Sequence, residues 1–114
     1  MLIDTHCHLD AAEFNADRDA VAKSAQMAGV SMIVIPTVAR ENFQQVIELS
    51  NQYAYCSMAL GIHPMYVDGA QPSDLALLKQ LITAQLAAPN SKLVAVGEIG
   101  LDFFVTQQKR ETQV

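Results

Sequence analysis

Segments that resemble buried strands alternate with amphipathic helical segments along most of the chain, and this alternation most constrains the fold. Val30–Pro36, "VSMIVIP", is β-branched, almost continuously apolar and closed by proline, which is typical of a strand buried on both faces. The next segment has the i, i+3, i+4, i+7 spacing of one helix face at Phe43, Val46, Ile47 and Ser50. A strand followed by a helix is therefore the predicted structural unit.

The same unit is predicted four times. Strands are expected to start near Leu2, Val30, Tyr55 and Lys92, at roughly the 30-residue interval of an eight-unit barrel with ~250 residues. Repeated units of this kind favour parallel pairing with right-handed crossovers. We therefore predict an α/β fold in which residues 1–114 form half of a TIM-like barrel, with about four strands and no second domain.

Capping residues predict where the helices begin and end. Asn15 is expected to cap the first helix and Gly29 to end it, while Ser73 is expected to cap the third. Pro89 should stop the third helix, whose apolar face is predicted at Leu75, Leu78, Leu81, Ile82 and Leu86. The polar residues 106–114 resemble the opening of another helix.

Charge and composition limit the classes of function. Twelve acidic and seven basic residues give a net charge of -5, which opposes nucleic-acid binding through a broad basic surface. A polyanionic substrate would need a local positive centre. The start of the chain lacks the features of a secretory signal, and no apolar run approaches the ~20 residues that span a bilayer. A cytoplasmic protein with no membrane partner is predicted.

The cysteines and several large side chains are predicted to pack rather than to react. Cys7 and Cys56 both lie in apolar segments, so they are interpreted as reduced, buried small hydrophobes. Tyr53, Tyr55 and Met58 are interpreted as packing residues and not as a platform for stacking bases.

The stretch "DTHCHLD" places two histidines one residue apart. In a strand, alternate side chains share a face, so His6 and His8 would point the same way while Cys7 points away. Two neutral imidazoles so arranged can bind one divalent ion together, and Asp4 is expected to orient one of the rings. The alternative is a chance pair of histidines in a surface turn.

Two later motifs follow predicted strands and would reach the same rim. In "GIHP" the following proline keeps His63 extended, whereas a plain loop histidine is the alternative. In "VGEIGLD" two glycines flank Glu98 and allow close backbone approach, and one carboxylate can bridge two cations. Asp102 is a candidate hydrogen-bond acceptor behind the metal ligands or an outer contact to the substrate. A solvated acid at a strand end is the alternative for Glu98.

The motifs "IDTHCHLD", "GIHP" and "GEIGLDF", in this order and spacing, resemble the N-terminal half of the TatD family of metal-dependent deoxyribonucleases, which are amidohydrolase-like barrels. The resemblance implies one or two divalent cations (Mg, Mn or Zn) and hydrolysis of phosphodiester bonds in DNA by a metal-activated water. It implies that His6, His8 and Glu98 are metal ligands, that Glu98 and His63 are catalytic, and that His63 and Asp102 contact the substrate. The family's later ligands have no counterpart in this sequence.

Two other interpretations remain open. The chain could be a truncated, catalytically incomplete half-barrel that self-associates, because an open half-barrel exposes sheet edges and apolar surface. It could also be an amidohydrolase acting on an amide or lactone, or a PHP-like phosphoesterase, since both use His-x-His metal clusters. Neither of those relatives predicts "GIHP" followed by "GEIGLD", so the nuclease is ranked first.

Overall fold

A computed structural model describes residues 1–104 and 110–114 of the chain. The strands and α-helices alternate in the order β1 (Leu2–Asp4), α1 (Arg18–Met27), β2 (Val30–Pro36), α2 (Arg40–Gln52), β3 (Cys56–Leu60), α3 (Pro72–Ala87), β4 (Leu93–Val96) and α4 (Arg110–Gln113). Two short 3-10 helices lie at Ala12–Phe14 and Pro64–Gly69. This alternation confirms the predicted α/β fold.

The four strands form one sheet in the order β1-β2-β3-β4, and every neighbouring pair is parallel. Strands that follow one another in the chain are also neighbours in the sheet, as they are in a barrel of βα units. Because all strands run the same way, the residues that follow them lie at one edge of the sheet. We call this edge, with the segments that follow β1 to β4, the carboxyl edge.

The core lies between the two central strands and α2. β3 is buried along its whole length, and Ile35, Phe43, Val46 and Met58 are almost completely shielded from solvent. The predicted inner face of α2 is confirmed, since all four of its residues are buried. Burying one large apolar side chain contributes roughly 1.5–3 kcal/mol, so this cluster carries much of the stability of the sheet.

The predicted start of the first helix was wrong. α1 begins at Arg18 with Asp17 before it, and the preceding segment forms a 3-10 turn instead. The side-chain oxygen of Asn15 accepts a hydrogen bond from Arg18 Nη2 at 2.7 Å, so this oxygen serves a guanidinium and not a backbone N–H. The end of α1 is as predicted, because Gly29 has a φ of 95° that glycine adopts readily.

The third helix also begins earlier than predicted. α3 starts at Pro72 and is preceded by Gln71, so Ser73 lies inside the first turn. Proline suits the first turn because the N–H that it lacks has no partner within the helix. Asp74 Oδ2 instead accepts the hydrogen bond of Gln71 N at 2.8 Å. The helix ends at Ala87, ahead of the proline predicted to stop it.

The apolar face predicted for α3 is only partly buried. Leu78 is buried, but Leu75 and Leu86 are more than half exposed. α3 packs beside the outer strand β4, which offers it less surface than a central strand would. The four-residue α4 agrees with the helix predicted for the polar end, although residues 105–109 lie outside the described part of the chain.

Apolar side chains are exposed on both outer strands. At least half of the surface of Leu2 and Ile3 on β1, and of Val94 and Val96 on β4, is accessible to solvent. We call these four residues the edge-strand apolar surface. Such an edge is a template for further strand pairing. Within the described residues, no helix combines the length and apolar character needed to cross a bilayer.

Candidate metal centre

The two histidines near the start of the chain lie at the carboxyl edge and face one another. β1 ends at Asp4, so they follow the strand, but Cys7 N donates to Val34 O at 3.1 Å and continues the pairing with β2. The rings of His6 and His8 therefore share one side, with their Nε2 atoms 3.2 Å apart. Asp4 does not orient a ring as predicted; its Oδ1 accepts from the backbone N of His6 at 3.1 Å.

Glu98 reaches the same point from the other outer strand. It follows β4, and its backbone N donates to Thr37 O at 3.0 Å, which fixes the start of its side chain beside β2. Its Oε2 lies 3.4 Å from the Nε2 atom of His6 and 3.4 Å from that of His8. The structure thus brings together the three side chains predicted as ligands.

The spacing of these three atoms suits one cation. Two ligand atoms held 2.0–2.1 Å from a tetrahedral ion would be about 3.3–3.4 Å apart, close to the 3.2, 3.4 and 3.4 Å found here. Among the described residues, His6, His8 and Glu98 form the group of His, Cys, Asp and Glu side chains able to hold a metal ion. The imidazole of His6 is 51% exposed and the Glu98 side chain 24%, so a cation could enter from solvent.

His63 completes the cluster from β3. Its φ of -68° and ψ of 140° give the extended conformation predicted for a residue before proline. Its Nδ1 accepts from Met65 N at 3.0 Å, so the neutral ring carries its proton on Nε2. That Nε2 lies 3.6 Å from Glu98 Oε1. The two oxygens of the Glu98 carboxylate therefore face different imidazoles. Oε2 faces His6 and His8, and Oε1 faces His63.

Asp102 is not part of this cluster. Its Oδ1 accepts from Phe104 N at 2.9 Å, and its backbone N and O bond to the side chain of Gln113. The substrate contact predicted for Asp102 stays a prediction.

Comparison with known proteins identifies the family to which the chain belongs. The family model described as "TatD related DNase" matches residues 3–114. The chain belongs to this family. It is 40% identical over 111 residues to the uncharacterized metal-dependent hydrolase YjjV of Escherichia coli, and the match covers 97% of this chain and 41% of YjjV. The crystal structure of YjjV, a TatD homologue, superposes with a TM-score of 0.87 at 39% identity, over 98% of this chain and 42% of that one.

Other TatD-family relatives carry names that specify nucleic acids. The human deoxyribonuclease TATDN3 is 38% identical over 107 residues, covering 90% of this chain and 38% of the relative. The 3'-5' ssDNA/RNA exonuclease TatD of Erwinia amylovora is 36% identical over 115 residues, covering 99% and 42%. This chain spans about two-fifths of the length of these relatives and matches their N-terminal part. The fold prediction of a TIM-like barrel half is confirmed by the YjjV structure.

In this TatD-family chain the close backbone approach occurs at a different glycine from the two predicted, which flank Glu98. A β-carbon on Gly97 would meet nothing nearer than the Cβ of Ala59 at 3.8 Å, an ordinary contact. A β-carbon on Gly61, in the "GIHP" motif, would lie 2.7 Å from Glu98 O and 2.7 Å from Gly97 C. Gly61 is thus the residue that lets the ends of β3 and β4 come together, while Gly100 is needed for its φ of 126°.

The sequence patterns did not predict two further residues that hold the candidate metal centre in place. Thr37 is completely buried, and its hydroxyl bonds to both backbone groups of Gly61, while its carbonyl accepts from Glu98 N. Its only sequence signal is a polar residue directly after a buried strand. Arg18 donates to the carbonyl oxygens of Leu9 and two neighbours at 2.7, 3.2 and 3.1 Å, and so fixes the loop that follows His8.

Neither cysteine belongs to this group of ligand side chains, and both are free thiols. Burial raises the pKa of the Cys56 thiol from 9.0 to about 11. Burial, and then the charges of Asp4 and Asp10, also raise the pKa of Cys7. Cys56 is fully buried, as predicted, and Cys7 is half-buried against the core. Raised pKa values keep both thiols protonated near neutral pH, which disfavours them as nucleophiles or ligands.

Proposed function

We propose that this chain supplies the first ligands of the metal centre in a TatD-family nuclease that hydrolyses phosphodiester bonds in DNA. The observation that carries the proposal is the convergence of His6, His8 and Glu98, with 3.2–3.4 Å between their ligand atoms. The names of the relatives support it, since they include a metal-dependent hydrolase, a deoxyribonuclease and an exonuclease.

In this proposal His6, His8 and Glu98 Oε2 hold one divalent cation, which would be Mg²⁺, Mn²⁺ or Zn²⁺. Such a cation supplies Lewis acidity and positive charge beside the phosphodiester. Glu98 Oε1 is directed toward His63, so this oxygen would be available to a second cation or to a water. Glu98 therefore acts both as a ligand and as a catalytic carboxylate.

His63 is proposed to contact the scissile phosphate. Because Met65 N occupies its Nδ1, the ring presents an N–H at Nε2, which can donate to a phosphoryl oxygen. The ring is mostly shielded, with 22% of the side chain exposed, so this donor is held in place before a substrate arrives. Such preorganised donors stabilise the charge that develops during phosphoryl transfer.

The bound cation would also reconcile an acidic protein with a polyanionic substrate. The net charge of -5 repels nucleic acid at long range, so a local positive centre is needed at the point of cleavage. A neutral amide or lactone would not be repelled by this net charge and so would not require a local positive centre. Relatives named for DNA or RNA substrates also favour the nuclease over the amidohydrolase and PHP-like alternatives. The cytoplasmic location predicted from the sequence stays a prediction.

Residues 1–114 are proposed to form one part of a closed barrel. The edge-strand apolar surface requires a cover, which either further strands like those of the longer relatives or a second copy of this chain would provide. Sedimentation of the purified 114-residue polypeptide separates the two. A stable dimer supports self-association, and a well-folded monomer without exposed apolar surface contradicts the need for any cover.

The metal proposal is tested with the full-length protein and the variants His6→Ala/His8→Ala and Glu98→Gln. Mn²⁺ affinity is measured by calorimetry, and divalent-dependent cleavage by release of nucleotides from an end-labelled single-stranded oligonucleotide. We expect each variant to bind Mn²⁺ at least about tenfold more weakly and to lose cleavage, since a ligand is removed outright.

Glu48→Gln is the matched control, because Glu48 is an exposed carboxylate on α2 that bonds only to Gln44 among the described residues. The Glu48→Gln protein should retain both the Mn²⁺ affinity and the cleavage activity of the parent. Unchanged Mn²⁺ affinity in the Glu98→Gln protein would remove the proposed metal centre. Hydrolysis of amides or lactones with no action on DNA or RNA oligonucleotides would instead replace the nuclease by an amidohydrolase.

A further inference from the structure

A cavity of about 270 Å³ lies near His63 at the carboxyl edge. It lies between the segment that leads into α2 and the segment that joins β3 to α3. Val38, Ile62 and Ala70 contribute apolar surface to its wall, and Tyr66 and Arg40 also line it. Its volume lies just below the roughly 300–1,000 Å³ of drug-sized ligand sites, which suits one planar heterocycle.

His63 lies on one of the two segments that form the cavity and bonds to the other. Ile62 directly precedes His63, and His63 N donates to the carbonyl of Val38 at 2.8 Å, so residues on both sides of the cavity are tied to this histidine. The rings of His63 and Tyr66 are 6.1 Å apart and nearly perpendicular, at 84°. A nucleotide whose phosphate meets His63 would therefore have this cavity within reach of its base.

Tyr66 offers an aromatic face at the cavity. It is 52% exposed, unlike Tyr53 and Tyr55, which pack against the core as predicted. An exposed ring that borders an apolar cavity is a stacking partner for an unpaired base, because every base has a π-face. Glu41 also lines the cavity, and its carboxylate can accept a hydrogen bond from a base amino group.

Arg40 provides positive charge at the cavity. Its Nη1 donates to Asp74 Oδ1 at 2.8 Å, and the arginine side chain is 52% exposed while that of Asp74 is 8% exposed. Among the described residues, no acceptor engages the other guanidinium nitrogens of Arg40. By contrast, the guanidinium of Arg18 donates hydrogen bonds to loop carbonyls. Lys92 Nζ donates to Tyr53 O at the opposite end of the sheet from the cavity. Arg40 is thus a fixed, partly exposed cation suited to a phosphate.

We propose that this cavity binds one unpaired nucleobase of a single-stranded nucleic acid, stacked on Tyr66, with Arg40 on an adjoining phosphate. The proposal rests on the function proposed above, since it places the scissile phosphate at His63 and the metal centre. The hydrogen bond between His63 and Val38 and the 6.1 Å between the rings of His63 and Tyr66 set the distance between the two, so the cavity would accept the base of the nucleotide next to the cleaved bond.

The test compares two probes on the full-length protein: 2'-deoxyadenosine 5'-monophosphate and 2-deoxyribose 5-phosphate, which lacks the base. Binding is measured by calorimetry in the parent, Tyr66→Ala, Tyr66→Phe and Arg40→Ala proteins. We expect the nucleotide to bind about tenfold more tightly than the base-less phosphate, as stacking of one base provides. Tyr66→Ala should abolish this preference and Tyr66→Phe should keep it. Arg40→Ala should leave the preference unchanged, because neither probe carries the second phosphate, but it should raise the KM for a single-stranded oligonucleotide, which carries both.

Equal affinity for the two probes, or a preference that survives Tyr66→Ala, would overturn the subsite. Cleavage of a single-stranded oligonucleotide separates this proposal from the nuclease itself. A Tyr66→Ala protein with an unchanged KM would refute the subsite while leaving the nuclease intact. Base-dependent binding through Tyr66 in a protein that cleaves no phosphodiester would retain the subsite and refute the nuclease.

Discussion

Thr37 and Gly61 exchange two hydrogen bonds through one hydroxyl: Oγ1 accepts from Gly61 N at 2.7 Å and donates to Gly61 O at 2.8 Å. Both residues are buried, so water does not supply these partners. Gly61 leads into the segment that carries His63, and the carbonyl of Thr37 holds the backbone of Glu98. Thr37 is therefore a positioning residue for two members of the candidate metal centre.

Replacing Thr37 by valine should lower the free energy of unfolding by about 2–3 kcal/mol. Valine keeps nearly the shape of threonine, but two buried backbone groups of Gly61 lose their partner, and each unsatisfied group costs about 1–3 kcal/mol. Urea denaturation followed by circular dichroism measures the change. Thr37→Ser restores the hydroxyl and should recover most of the stability; equal stability of the valine and threonine proteins would contradict this account.

Gly61→Ala should displace Glu98. The new methyl group would lie 2.7 Å from backbone atoms of Gly97 and Glu98, which cannot move aside as the end of a side chain could. We expect a loss of about 1–3 kcal/mol in stability, as in other overpacked sites, together with weaker Mn²⁺ binding. Gly69→Ala is the control, since its methyl group would meet no atom within 4 Å. Similar Mn²⁺ affinities in the two variants would refute the prediction.

The predicted parts of the structure depend on patterns that are local in sequence. The inner face of α2 follows from spacing alone, because neighbours on a helix face are fixed by its period. The convergence of His6, His8 and Glu98 follows from topology, because the carboxyl ends of parallel strands share one edge. The strand pattern, together with the ligand motifs that follow β1 and β4, was therefore sufficient to predict this convergence.

The parts that the sequence patterns did not predict depend on which of several available partners a group engages, near or far along the chain. Asn15 would cap a helix if Arg18 did not engage its oxygen, and Ser73 gives way to an earlier start at a proline. The close approach of Gly61 to Glu98 involves two strands that lie far apart in sequence, so no local pattern reveals which glycine is needed. Such choices depend on the packed structure.

Cys56 should resist alkylation in the folded protein. Its pKa of about 11, against the usual 9.0, leaves roughly a hundredfold less thiolate near neutral pH, and its sulfur is also shielded from solvent. Iodoacetamide labelling followed by peptide mass spectrometry measures the rate. In urea both cysteines should react at similar rates, which provides the internal control. Labelling of Cys56 in buffer as fast as in urea would contradict the buried, protonated thiol.

The Arg40–Asp74 pair should make stability depend on pH in the acid range. Hydrogen bonds from the Arg40 side chain and from Gln71 N hold the pKa of the Asp74 carboxyl below its usual 3.8. A folded-state pKa below the unfolded one stabilises the protein above that usual value, and the contribution is lost as the pH falls through the folded-state pKa.

Asp74→Asn should therefore be less stable than the parent at about pH 6, and the difference should shrink toward pH 3. Urea denaturation across this range measures it. Glu48→Gln, on an exposed surface, should show no such convergence. A stability difference between parent and Asp74→Asn that stays constant with pH would contradict the ionic role of this carboxylate.

The proposed ligands come from opposite margins of an open sheet, since His6 and His8 follow β1 whereas Glu98 follows β4. An ion held by all three would cross-link those margins and close nearly the whole polypeptide into a loop, which limits its freedom to open. Metal supply would then govern the lifetime of the folded protein as well as its chemistry. Depletion of the ion would first release the outer strands, and proteases would attack there.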